Sequence, residues 1–133
     1  MFRKIGQYEI SVEDDLILVW SSPVFNLESA QQYAADMAVT IDSMPPKFGV
    51  LAQFDTPPIL GPEVEASMRE SARQRAQRGM VAVALVTTDD FGMAIASGQW
   101  NRIYDSIGVA HAFFADIESA RAWLRGQING ANT

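Results

Sequence analysis

Met80-Val81-Ala82-Val83-Ala84-Leu85-Val86-Thr87 runs for eight residues without a charge, a glycine or a proline. Both alternate sets of side chains are apolar, as in a strand covered on both faces. Upstream of it, Pro62 suits a first helical position, where its missing N–H costs nothing, and Gly79 suits a helix stop. Between them Val64, Met68, Ala72 and Ala76 form a thin inward stripe, with Glu63, Glu65 and Glu70 early and Arg73, Arg75 and Arg78 late, the order the helix macrodipole favours. Downstream, Asp89-Asp90 opens a helix with Met93, Ala96, Trp100, Ile103 and Ile107 in step, ended by Gly108.

The same alternation extends to both ends. Tyr8, Ile10 and Val12 alternate with Glu9, Ser11 and Glu13, the pattern of an edge-type first strand. Asp14-Asp15 turns the chain into Leu16–Trp20, apolar at every position. After Ser21-Ser22-Pro23, Asn26 is placed to cap a helix carrying Leu27, Ala30, Ala34, Met37, Ile41 and Met44, stopped by Pro45-Pro46. Phe48–Phe54 is the next strand and 55–61 a proline-rich loop. Val109–Ala115 is the last strand; Asp116 caps a helix with Ile117, Ala120, Leu124 and Ile128 inward, and 129–133 reads as a frayed tail. The expectation is an α/β domain over residues 1–133: a mixed, mostly parallel five-stranded sheet with four helices, in the order ββαβαβαβα.

With 133 residues, 48 % of them hydrophobic, the chain has the size and apolar content for one core. A net charge of -6 argues against nucleic acid or anionic lipid as a standing partner. Zero cysteines and a single histidine exclude a disulfide, a thiolate nucleophile and a Cys/His zinc site. No apolar signal segment follows Phe2-Arg3-Lys4, and the longest apolar run, Met80–Val86, is far short of the roughly 20 residues of a membrane span. The expected compartment is the cytoplasm.

The strand-strand-helix opening, the string Met80–Asp89 before an alanine-rich segment, and Phe114-Ala115-Asp116 leading into Glu118-Ser119-Ala120-Arg121-Ala122-Trp123-Leu124 together resemble the SpoIIAA-like family over residues 4–128. That family is a branch of the STAS superfold related to CRAL-TRIO lipid-binding domains. The resemblance implies a small non-enzymatic binding domain. Anti-sigma-antagonist members carry an Asp-Ser-Ser-Gly-like string at the start of the second helix, whose serine is phosphorylated. Here the stretch is Asp55-Thr56-Pro57-Pro58-Ile59-Leu60-Gly61-Pro62-Glu63. A phosphate on Thr56 would meet the missing N–H of Pro62 and like charges, so a phospho-switch is disfavoured.

The candidate sites divide between surface roles and binding. His111 shares a side of the last strand with Val109 and Phe113 and reads as structural; an enzyme built on Asp55, Thr56 and His111 lacks a nucleophile placed by sequence. Asp14-Asp15 and Asp89-Asp90 have turn and helix-start roles and no metal-loop spacing, so no metal or cofactor is expected. Arg69, Arg73, Arg75 and Arg78 read as a solvated helix face, with Glu65 and Arg69 paired at i, i+4, or alternatively as a dock for an acidic partner.

The segment 91–107 holds more large apolar groups than one inward stripe uses, leaving Phe91, Ile95 and Tyr104 at its sides. Gly92 and Gly98 each weaken a helix by about 1 kcal/mol relative to alanine, which marks this element as the one to shift. The expectation is a movable lid over an apolar cleft that takes a small amphipathic or lipid-like ligand, with Phe54, Ala82, Ala84, Phe91, Ile95, Trp100 and Tyr104 lining or gating it and at most transient membrane contact. The alternative is a regulatory interaction domain that uses the same helix as a homodimer or partner face.

Overall fold

The computed structural model describes residues 2–4, 8–22 and 26–132, the first three through their backbone alone. One sheet holds six strands whose spatial order follows the chain: β1 (Phe2–Lys4), β2 (Tyr8–Glu13), β3 (Leu16–Ser21), β4 (Phe48–Phe54), β5 (Met80–Val86) and β6 (Ala110–Phe114). The pairs β1–β2 and β2–β3 are antiparallel; β3–β4, β4–β5 and β5–β6 are parallel. Four helices complete it: α1 (Leu27–Ile41), α2 (Pro62–Arg78), α3 (Asp90–Ile107) and α4 (Ile117–Ala131).

The parallel half advances across the sheet in one direction, and crossovers of one hand then deliver every connecting helix to the same face. Accordingly α1, α2 and α3 share a core with Ile17 and Val19 of β3, Val50, Ala52 and Phe54 of β4, and Val83 and Leu85 of β5. Only α4 reaches the opposite face, where Ala120, Leu124 and Ile128 pack on Leu16, Leu51, Ala82, Ala84 and Val86. Gly49 lets it approach: a Cβ there would lie 3.1 Å from Leu124 Cδ2. Bidentate Arg121 and the neighbouring Arg125 tie α4 to Glu13 of β2.

The α/β class, the mostly parallel sheet, the four helices and the caps agree with the sequence reading. Asn26, Asp89 and Asp116 accept from the backbone N–H of Ser29, Gly92 and Ser119, and Asp14 takes the left-handed turn conformation at φ 54°. The strand count does not agree: β1 adds a sixth strand outside β2. That makes β2 an interior strand and not the edge expected, and its Tyr8 and Ile10 are fully buried in the core beneath α1, Tyr8 against Tyr33. The three-residue β1 is too short to show periodicity. At the other end α4 continues to Ala131 where a frayed tail was expected. The reading of Pro23 falls outside the described residues.

Gly79 ends α2 at φ 138°, and a Cβ on it would stand 1.9 Å from the Pro46 carbonyl oxygen. Gly79→Ala is expected to lower the unfolding free energy by at least about 1–3 kcal/mol, from backbone strain alone. Urea denaturation checks this, and an unchanged midpoint would contradict it.

Candidate functional site

Between the three-helix layer and the sheet lies a small, partly open cavity of about 30 Å³, room for about one water. The sheet supplies Val19, Ser21, Val50, Ala52 and Phe54; α1 supplies Tyr33, α2 Met68, and α3 Trp100 and Tyr104. Pro58 and Leu60 of the 55–61 loop close it over. Each side chain arrives by simple periodicity: alternate residues of β4 face one way, and Trp100 and Tyr104 are one turn apart on α3. Trp100 lies tilted against Phe54 at 5.6 Å between ring centres and stacks on Tyr104 at 6.2 Å and 17°.

A polar clamp holds the roof. Gln99 of α3 accepts from Leu60 N–H at 2.8 Å and donates to the Leu60 carbonyl at 2.7 Å, a two-way bond like a rung of sheet. The same Gln99 nitrogen donates to Glu65 of α2 at 2.9 Å. Arg102 donates to both Glu65 oxygens and Arg69 to one, so two helices and the loop converge on one carboxylate. The Arg102 and Gln99 hydrogen bonds pull the Glu65 carboxyl down to about 2.

Inside, the polar accounting does not close. Trp100 is buried, and its indole Nε1–H has no acceptor among the described residues. Arg75 of α2 is buried at 3 % exposure. Its guanidinium donates to Ser71 Oγ, its Nε–H finds no acceptor, and its central carbon stands 5.5 Å from the centre of the Tyr33 ring. Burial pushes the Tyr104 phenol above its ordinary range, while the Arg75 charge acts in the opposite direction.

Of the expected site residues, Phe54, Trp100 and Tyr104 meet at this cavity. Ala82 and Ala84 do not. They sit on the far face of the sheet beneath α4, because β5 turns Val83 and Leu85 toward the three helices and the even-numbered residues away. Phe91 and Ile95 are not lining either: they project outward from α3 with 78 % and 55 % of their surface exposed. Tyr104, expected at the flank of α3, is buried at 3 %. The solvated arginine face also needs correction, since Arg75 is interior; Glu65–Arg69 pairs as expected.

Tyr33, Arg75 and Gln99 were missed. Tyr33 shares the inward face of α1 with Ala30 and Met37, and Arg75 lies seven residues, two helical turns, from inward Met68. Both signals were present in the spacing. Gln99 carried none, because its partner is a distant loop backbone.

A wider groove of about 530 Å³ opens at the carboxyl ends of β4, β5 and β6, where ligands of parallel sheets commonly bind. Two of its polar side chains already serve the fold. Thr87 Oγ1 takes up Asp89 N–H, Asp116 caps α4, and Asp55 and Glu118 make it acidic. His111 is held by Asn101 Oδ1 at 2.7 Å and the Val109 carbonyl at 3.2 Å. Among the described residues no group of three or more acidic or histidine side chains could hold a metal ion, and no helix is long and apolar enough to cross a membrane.

Comparison with solved structures establishes the class: the protein has a SpoIIAA-like fold. It superposes with a TM-score of 0.63 on an uncharacterised DUF3478-family protein from Shewanella loihica PV-4, described as having a SpoIIAA-like fold, over 93 % of this chain and 98 % of that one at 15 % identity. No family model and no curated protein matches the chain.

Because the Glu65 carboxyl titrates lower folded than unfolded, its ion pairs stabilise the protein fully above about pH 4.5 and lose that effect as pH falls toward 2. The stability gap between wild type and Glu65→Gln, measured by urea unfolding, is expected to close over that window. A gap that stays constant from pH 5 to 2 would contradict the assignment.

Proposed function

We propose that this chain is a non-catalytic binding module that takes a small apolar or amphipathic molecule into the cavity between α3, the 55–61 loop and the sheet. The observation that carries the reading is an aromatic-walled void roofed by a loop and attached to α3 by one glutamine. About 30 Å³ is far below the roughly 300–1,000 Å³ of ligand pockets, so the described state is the closed one. Opening costs the Gln99–Leu60 pair and exposes Leu60 and Pro58, a modest penalty compared with unpacking the helices. The SpoIIAA-like fold leaves ligand class open; cavity chemistry supplies the direction.

On adding 1-decanol, tryptophan emission is expected to shift in wild type and to remain unmoved in Ala52→Leu, which fills the void. Gln99→Ala is expected to bind faster by releasing the loop. No response in wild type, together with no apolar molecule in native extracts of the purified protein, would sink the proposal.

A second reading rests on Phe91 and Ile95, whose exposure forgoes about 1.5–3 kcal/mol each of burial. In it they form a face for a second copy of the chain. Sedimentation is expected to show a dimer that Ile95→Asp abolishes; a monomer at all concentrations removes this reading.

A further inference from the structure

The cavity is apolar in its walls but not in its unmet bonding. One of its lining residues carries a donor in search of an acceptor: Trp100, whose buried Nε1–H is unpartnered among the described residues; Tyr104, stacked on it, adds a phenolic hydroxyl to the same wall. Trp100 and Tyr104 are themselves 3 % exposed, so bulk water reaches them little. Behind the Tyr33 ring, which also lines the cavity, stands Arg75. Among the described residues no carboxylate lies within ion-pair distance of it, and Ser71 is its neutral hydrogen-bond partner. A buried guanidinium without a counter-charge is among the costlier features a core can hold.

A buried donor without an acceptor in the wall, with a cation that has no anion behind the neighbouring Tyr33 ring, describes the complement of a carboxylate. We infer that the molecule taken into the cavity is a monocarboxylate with an apolar body, held head-inward: Trp100 Nε1–H and the Tyr104 hydroxyl donate to the carboxylate and Arg75 supplies the counter-charge. This rests on the cavity being a binding site and adds its chemical class. The apolar body then runs toward Pro58 and Leu60, the roof that must lift. A charged head-group donated to by buried groups gains more than a neutral hydroxyl does, because charge-assisted bonds are roughly twice as strong and water competes little inside. The overall charge of -6 does not oppose this, since exposed charges beyond about 10 Å are screened at ordinary salt.

Decanoate and 1-decanol, of equal chain length, separate the head-group from the tail. Titration calorimetry at pH 7.5 is expected to show decanoate binding about tenfold tighter or more to wild type. Arg75→Met is expected to bring the two ligands within about twofold while leaving the decanol affinity unchanged, and Arg75→Lys to retain part of the preference. Tyr104→Phe, which removes one hydroxyl, is expected to weaken decanoate alone and serves as the deciding variant if Arg75→Met does not fold by circular dichroism. If both ligands bind wild type equally, or the preference survives undiminished in folded Arg75→Met or in Tyr104→Phe, the carboxylate assignment is overturned and the apolar cavity stands. If neither ligand binds wild type, the cavity reading fails as well.

Discussion

Everything in this structure hangs on the two-sided burial of β4 and β5. Each must present apolar side chains to both faces, and the two faces receive different covers. Three crossovers of one hand crowd α1, α2 and α3 onto one side. The other side is left to α4, which arrives after the last strand and packs close because Gly49 has no side chain. A layer of three helices meeting one twisted sheet cannot fill every space between them. The residual void falls where the middle of the sheet, the middle of α1, α3 and the Pro58–Leu60 part of the 55–61 loop meet, among Tyr33, Phe54 and Trp100.

The polar groups around that void are unevenly satisfied. On its rim Gln99 and Leu60 exchange two bonds and Glu65 gathers two arginines and an amide, while the Nε–H of one of those arginines, Arg69, has no acceptor among the described residues. Buried donors in native proteins nearly always have partners, so the indole of Trp100 and the guanidinium of Arg75 are exceptions that call for an account.

How much of this was readable differs residue by residue. The apolar face of α3 and the role of Trp100 follow from helical spacing. Surplus apolar character on that helix was real, but it resolved into two populations: Tyr104 turned inward, and Phe91 and Ile95 remained outside. Ala82 and Ala84 could not be assigned a face from sequence, because β5 is apolar at every position and its register carries no polar mark. Arg75 was hidden by its chemistry: an arginine among three others on one helix looks solvated, although its spacing from Met68 and Ala72 pointed inward.

Sequence alone determined the order of elements from β2 onward, the helix caps, the chain reversals at Asp14 and Gly108, and the mostly parallel sheet, since each depends on neighbours within a few residues. Tertiary structure decided which face of β5 met which helix, the addition of β1 outside β2, the union of Gln99 with Leu60, and the burial of Arg75. These depend on contacts between segments tens of residues apart, where periodicity says that a side chain is buried but not against what.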